Sequence, residues 1–265
     1  MHHILDLDKY PLHDLHRPDA QALVEACRSE LATQGMFNLR GLVQPQALTR
    51  ITEELKPVFK ESAFTHRRSH NIYFQEHVPG LPDDHPALGS FETVNHTLCA
   101  DQIPDNLVCR IYGWPPFIEF LAATVDKPRL YAMADPLARA NVLAYHHGEA
   151  LNWHFDRSEF TTTLLLQGPE SGGEFQYRRD LRTESDPNYE QVARLVAGTD
   201  SEVQTLALTP GTLSIFKGRY TAHRVTPVVG GKERIVAVFS YYEQPNVAFS
   251  ADEQIGFYGR TSNPV

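Results

Sequence analysis

Apolar positions recur along this chain in two rhythms, and the change from one to the other divides the sequence. Residues 19–34 place Leu23, Val24, Cys27 and Leu31 at helical spacing. Asp19 follows Pro18 as an N-cap candidate, and Gly35 supplies a stop. Met36-Phe37-Asn38-Leu39 reads as a short strand. A second helix is predicted after Pro45, with Leu48, Ile51, Leu55 and Phe59 on one face. Pro57 lacks an N–H and is expected to kink or end it near its last turn. Residues 61–105 are polar and rich in histidine, without a sustained period, and are predicted to be surface loops. A third helix is expected over 115–125, where Pro115 and Pro116 are tolerated in the first turn.

After Pro136 the texture becomes that of strands. The segments 140–145, 151–155, 160–167, 173–178, 203–208, 211–216, 222–228 and 233–242 are short and apolar or alternating. Gly172-Gly173, Pro210-Gly211 and Gly230-Gly231 punctuate them as turns. Residues 179–202 form a charged excursion with helical character over 189–196. Strands at this spacing predict a sandwich or jelly roll and not a parallel α/β sheet. The expected fold is mainly β: a cupin-like double-stranded β-helix with N-terminal helices packed on it. A single domain is expected over 1–265, divided into a helical support region with substrate loops (1–135), the barrel core (136–245) and a C-terminal tail (246–265).

Charge narrows the partners. Lys+Arg 24 against Asp+Glu 33 gives a net charge of −9. Phosphate backbones are held by clustered Lys and Arg, so a nucleic-acid partner is not expected. No apolar run reaches membrane-span length, and the segment Met1-His2-His3-Ile4-Leu5-Asp6 is too polar and acidic for a signal peptide. Cys27, Cys99 and Cys109 lack metal spacing and read as small buried hydrophobes in a reduced, cytoplasmic setting. His2, His3, His13 and His16 show no regular ligand spacing and read as solvated side chains.

The chemistry concentrates after the change of rhythm. On a strand, side chains alternate, so His154 and Asp156 point to one side while Trp153, Phe155 and Arg157 point away. His223, on a later strand, would complete a set of two imidazoles and one carboxylate, which holds non-haem Fe(II) and leaves one face of the ion open. His147-Gly148-Glu149 is a second pair of the His-x-carboxylate kind, but it reads as a turn, where ligands are held less rigidly. Arg234 opens the otherwise apolar strand Ile235-Val236-Ala237-Val238. A charge entering a buried strand is costly unless paired, and a bound carboxylate would pair it bidentately.

His154-x-Asp156, His223 and Arg234 resemble the motif of the Fe(II)/2-oxoglutarate dioxygenase superfamily, over about residues 141–243. The phrases DPLARANVLAY, HFDRSEFTTTLLLQ and GGEFQYRRDLR are similar to a bacterial group of small stand-alone hydroxylases and radical halogenases acting on free amino acids, lysine among them. The resemblance implies Fe(II) on His154, Asp156 and His223, with 2-oxoglutarate and O2 as cosubstrates. Arg234 would grip the remote carboxylate of 2-oxoglutarate, and Asn141 and Tyr145, on the preceding strand, would line its site. Thr163 is a weaker candidate of the same kind. The implied activity is hydroxylation of an unactivated C–H of a small molecule, a free amino acid, with release of succinate and CO2. Desaturation uses the same oxidant. One departure matters: the halogenating members have Gly or Ala where this chain has Asp156, whose carboxylate fills the position that a halide would need.

For a zwitterionic substrate, Arg110, Asp135, Arg157 and Glu159 supply candidate charges, and Trp153, Tyr241 or Tyr242 candidate walls. Arg224, adjacent to His223, should face the other way. The segment Phe91-Glu92-Thr93-Val94-Asn95-His96-Thr97 is a candidate cover. Rival readings are a non-catalytic metal- or acid-binding barrel, a zinc hydrolase, which would give Arg234 no purpose, and oxidation of a carrier-bound or peptide substrate.

Overall fold

Prolines open the three long helices, because the missing N–H costs nothing at a first helical position. The structure, a computed structural model, describes residues 1–75 and 77–262. Its helices are α1 (Pro18–Gln34), α2 (Pro45–Ser62), α3 (Leu107–Tyr112), α4 (Pro115–Thr124), α5 (Tyr189–Val196) and α6 (Ala251–Tyr258). Arg17, not Asp19, is the N-cap of α1, and Asp19 instead pairs with the Arg17 guanidinium in the first turn. Gly35, at φ 75°, ends α1 as expected. Pro57 does not end α2, which runs on to Ser62; the carbonyl whose partner it removes belongs to Glu53, an exposed residue.

The strands are β1 (Met36–Leu39), β2 (Phe64–His70), β3 (Phe91–Leu98), β4 (Tyr131–Ala132), β5 (Ala140–Tyr145), β6 (Leu151–His154), β7 (Thr161–Gln167) and β8 (Ser171–Gly172). They continue with β9 (Phe175–Arg178), β10 (Gln204–Leu206), β11 (Leu213–Phe216), β12 (Ala222–Val225), β13 (Val228–Val229), β14 (Arg234–Phe239) and β15 (Tyr241–Tyr242). A major antiparallel sheet has the order β1-β11-β7-β14-β5-β3-β2, and a minor one has the order β10-β9-β12-β6. Two such sheets facing one another make the expected double-stranded β-helix, with helices on the outer face of the larger.

Alternation along the strands separates core from cavity. On β5, Ala140, Val142 and Ala144 join the main core, while Asn141, Leu143 and Tyr145 face the space between the sheets. On β14, Ile235, Ala237 and Phe239 face the core; Arg234, Val236 and Val238 face the cavity. The core closes against Ile51 and Leu55 of α2 and Phe117 and Phe120 of α4. Among the described residues no helix is long and apolar enough to cross a membrane.

The predicted loop region 61–105 is corrected. It holds β2 and β3, paired in continuous register from Phe64↔Thr97 to His70↔Phe91. The segment expected as a cover, Phe91–Thr97, is therefore part of β3, between β5 and β2 in the major sheet. Its inward residues, Thr93, Asn95 and Thr97, are polar because they line the cavity, so the usual apolar-inward signal is absent. The expected tail likewise contains α6, capped by Ser250 and Glu253 in a capping box.

Candidate active site

A β-bulge aims the strand that carries His154. His223 of β12 pairs with His154 of β6, but Val225 pairs with Leu151, so β6 carries one residue more than its partner over this span. The extra residue lets Leu151 and His154 both face the cavity, while Trp153 turns outward. The strand ends at His154, one residue earlier than expected, and Asp156 lies just beyond it. The Asp156 N–H donates to the Gly218 carbonyl at 3.0 Å, which keeps the chain extended long enough to bring its carboxylate back to the same side.

The donor atoms converge. His154 Nε2 lies 3.4 Å from Asp156 Oδ1, and His223 Nε2 lies 3.4 Å from Asp156 Oδ2. Each imidazole places Nδ1 on a backbone carbonyl two residues earlier, His154 on Asn152 at 2.8 Å and His223 on Thr221 at 3.0 Å. An Nδ1–H donated there fixes the tautomer and leaves the Nε2 lone pair for a metal. Thr161 donates its hydroxyl to Asp156 Oδ2 and orients the carboxylate. Burial opposes ionisation of Asp156, but the two neighbouring imidazoles outweigh it and hold the carboxyl well below its usual range. Burial depresses His154, helped by nearby His223; His223 is depressed by burial too, but Asp156 more than reverses this and leaves it above its ordinary value. Two imidazole nitrogens and one anionic oxygen on one side of a cavity fit a non-haem Fe(II).

Arg234 enters the same cavity from β14. It is 4 % exposed, donates Nε to the Gly173 carbonyl at 3.0 Å, and stands 6.0 Å from the ring of Tyr145, its partner in the β14–β5 register. Burial lowers its pKa, and the sole ionisable neighbour that counters this among the described residues is Tyr145, so no carboxylate among them neutralises it. Burial pushes the Tyr145 phenol up to about 12, against the pull of Arg234, so the phenol stays protonated. A buried guanidinium that no carboxylate among the described residues neutralises, facing the cavity, suits a ligand carboxylate.

His154, Asp156, His223, Arg234, Asn141, Tyr145 and Thr163 thus line one cavity of about 350 Å³. Asn141 is already committed, donating to the Leu137 carbonyl at 2.7 Å and accepting from the Tyr258 hydroxyl at 2.8 Å.

The expected substrate residues lie elsewhere. Trp153 packs in an outer cluster with Phe155, Val192 and Leu195, and Arg224 covers its ring at 4.7 Å, facing outward as expected. Asp135 is fully buried and accepts from the Leu137, Ala138 and Phe249 N–H groups and the Gln254 amide, which makes it a bracket for α6. Arg157 pairs with Glu253 at the surface, Glu159 pairs with Lys127, and Arg110 is exposed on α3. Tyr241 bonds the Tyr112 carbonyl and packs on the main core, while Tyr242 packs beside α6.

His66, Arg68 and His70 of β2 face the cavity instead, with Phe74 and Phe257 at its mouth. The sequence carries a signal for them: three basic residues at i, i+2 and i+4 share one face of a strand. The alternative pair His147/Glu149 does not form. His147 accepts from the Gly230 N–H at 3.2 Å, while Glu149 meets His96 and His146.

A double-stranded β-helix with this triad and a buried arginine between its sheets defines the class of Fe(II)/2-oxoglutarate oxygenases. A family model described as Halogenase D matches residues 19–254, and the chain belongs to that family, within the 2-oxoglutarate-dependent oxygenases. No curated protein matches. Similar solved structures include a 2OG-Fe(II) oxygenase-family oxidoreductase from Burkholderia pseudomallei (12% identity, TM-score 0.52, covering 84% of this chain and 92% of that one). The non-haem α-ketoglutarate-dependent epimerase SnoN from nogalamycin biosynthesis is also similar (11% identity, TM-score 0.57, 84% and 83% covered). So is HygX from Streptomyces hygroscopicus, solved with nickel and 2-oxoglutarate bound (14% identity, TM-score 0.54, 84% and 91% covered). At these identities the likeness shows the fold.

Proposed function

We propose that this oxygenase hydroxylates an unactivated C–H of a small free amino acid, with conversion of 2-oxoglutarate to succinate and CO2. The observation that carries the reading is the meeting, in one cavity, of a complete His154–Asp156–His223 donor set with the unneutralised Arg234. Iron held there would supply oxygen activation and abstraction of a hydrogen atom. The chain's own part is placement. Arg234 binds the remote carboxylate of 2-oxoglutarate, the protonated Tyr145 phenol stands beside that guanidinium, and Leu143, Val236 and Val238 exclude water.

Asp156 favours hydroxylation over halogenation. Its carboxylate occupies the metal position that a halide would require, and Thr161 and Gly218 hold it there. A cavity of about 350 Å³ lies near the small end of ligand sites, roughly 300–1,000 Å³. It must hold cosubstrate and substrate together, which suits a small molecule better than a peptide. Arg68, its guanidinium 4.9 Å from the Phe74 ring, offers the cation for a substrate carboxylate at the mouth.

The test is a panel of free amino acids incubated with Fe(II), 2-oxoglutarate, ascorbate, O2 and chloride, read by mass spectrometry. Succinate with a one-oxygen mass gain on one amino acid is expected. A chlorinated product would overturn the hydroxylase reading, and succinate without any altered amino acid would overturn the substrate class.

A further inference from the structure

We propose that His96, His146 and Glu149 form a second divalent-metal site, suited to zinc, on the outer face of the major sheet. None of the three lines the cavity. His96 on β3 has the parity of Val94 and Leu98, and His146, just past β5, has that of Val142 and Ala144. Both imidazoles therefore stand on the sheet face opposite Tyr145 and Arg234.

The donor atoms of the three residues all lie within 4.8 Å of one another. His96 Nε2 is 2.9 Å from Glu149 Oε1, and the two imidazole centroids are 4.4 Å apart at 55°. The iron-site pair His154 and His223 has nearly the same arrangement, 4.1 Å at 57°.

The surroundings are those of a held ligand set. Thr65 Oγ1 meets His96 Nδ1 at 2.9 Å, so an Nδ1–H donated to that hydroxyl turns the Nε2 lone pair toward the centre. Glu149 Oε2 accepts the His146 backbone N–H at 2.7 Å, which fixes the carboxylate, and Oε1, the oxygen that meets His96 Nε2, is the one an ion would take. His146 Nδ1 stands 3.9 Å from Glu233 Oε1, so the half-exposed Glu233 borders the cluster without joining its three convergent donors. Two imidazoles and one carboxylate, with water in the remaining position, suit a four-coordinate zinc with bonds of about 2.0–2.2 Å. An ion there would tie β3 to the β5–β6 turn.

The test is zinc stoichiometry of the purified full-length protein by equilibrium titration. The wild type should bind two equivalents. H96A/H146A should bind one and keep the visible band formed when Fe(II) and 2-oxoglutarate are added anaerobically. H154A/H223A should lose that band and still bind one equivalent. A wild type that binds a single equivalent overturns the proposal, as does a second equivalent that survives in H96A/H146A; either result would mean that His96 and Glu149 form an ion pair only. Should H96A/H146A fail to fold, zero binding by H154A/H223A decides against the site and one equivalent decides for it. The amino-acid panel leaves these stoichiometries untouched, so the two readings fail independently.

Discussion

Gly218 lies so close to Asp156 that a Cβ added to it would collide with Oδ2, and its carbonyl accepts the Asp156 N–H. One residue therefore positions the Asp156 backbone and leaves the space for its carboxylate. Gly218→Ala should push the carboxylate off the metal position while leaving the fold in place. Outer contacts of metal ligands are worth about 10–100-fold in metal affinity, and a loss of that size is expected in a Co(II) or Fe(II) titration. Affinity within a factor of about two of wild type, well below that range, would dismiss the role.

Arg234→Ala should raise the 2-oxoglutarate requirement. Hydrogen bonds to a charged group contribute about 1.5–3 kcal/mol, which corresponds to roughly 10–150-fold in KM for 2-oxoglutarate. Arg234→Lys keeps the charge but not the planar fork, and should fall between the two. An unchanged requirement in both variants would remove Arg234 from the cosubstrate site.

Asp156→Gly tests the choice between hydroxyl and halide. Removing the carboxylate opens a coordination position, so hydroxylation should drop sharply. The anaerobic Fe(II)–2-oxoglutarate band should then respond to chloride, whereas the wild-type band should not. A chloride response already present in the wild type would contradict the filled position.

Arg68→Ala should separate substrate from cosubstrate. Its guanidinium sits at the mouth over Phe74, away from Arg234, so KM for the amino acid should rise about 10-fold or more while KM for 2-oxoglutarate stays put. Equal changes in both would point to general damage to the cavity.

Metal uptake should release a proton. Burial alone depresses His223, and Asp156 more than reverses it, leaving the imidazole above its ordinary value of 6.5. In the metal-free protein this pair stabilises the fold fully below the unfolded value, and the contribution is lost as pH rises through the raised folded value. A metal needs the neutral imidazole, so binding near pH 6.5 must displace the proton. Calorimetry in buffers of different ionisation enthalpy should show that release, fading as pH rises. Identical binding enthalpies in all buffers at the lower pH would rule it out.

Much of the site is legible because strand periodicity is strict. His154 and Asp156 two apart, His223 on its own strand and Arg234 at the head of an apolar strand can be placed by alternation alone, as can the outward Trp153 and Arg224. Nearness in sequence misleads for the charges. Asp135, Arg157 and Glu159 stand beside the site along the chain, but each is satisfied by partners distant in sequence, such as Gln254 for Asp135 and Glu253 for Arg157, and Arg110 is exposed on α3. β2 and β3 escape a hydrophobic reading because their inward faces are polar, so the pattern that marks a strand is missing.

Residue type and local period are enough to specify the donor set, the arginine and the β-rich architecture. Four relations needed the folded chain: the bulge that turns Leu151 and His154 to one side, the space at Gly218 beside Asp156, the basic face of β2 at the mouth, and the meeting of His96 with His146 and Glu149. These join residues far apart along the chain through sheet register and close packing, and neither is written in any short window of the sequence.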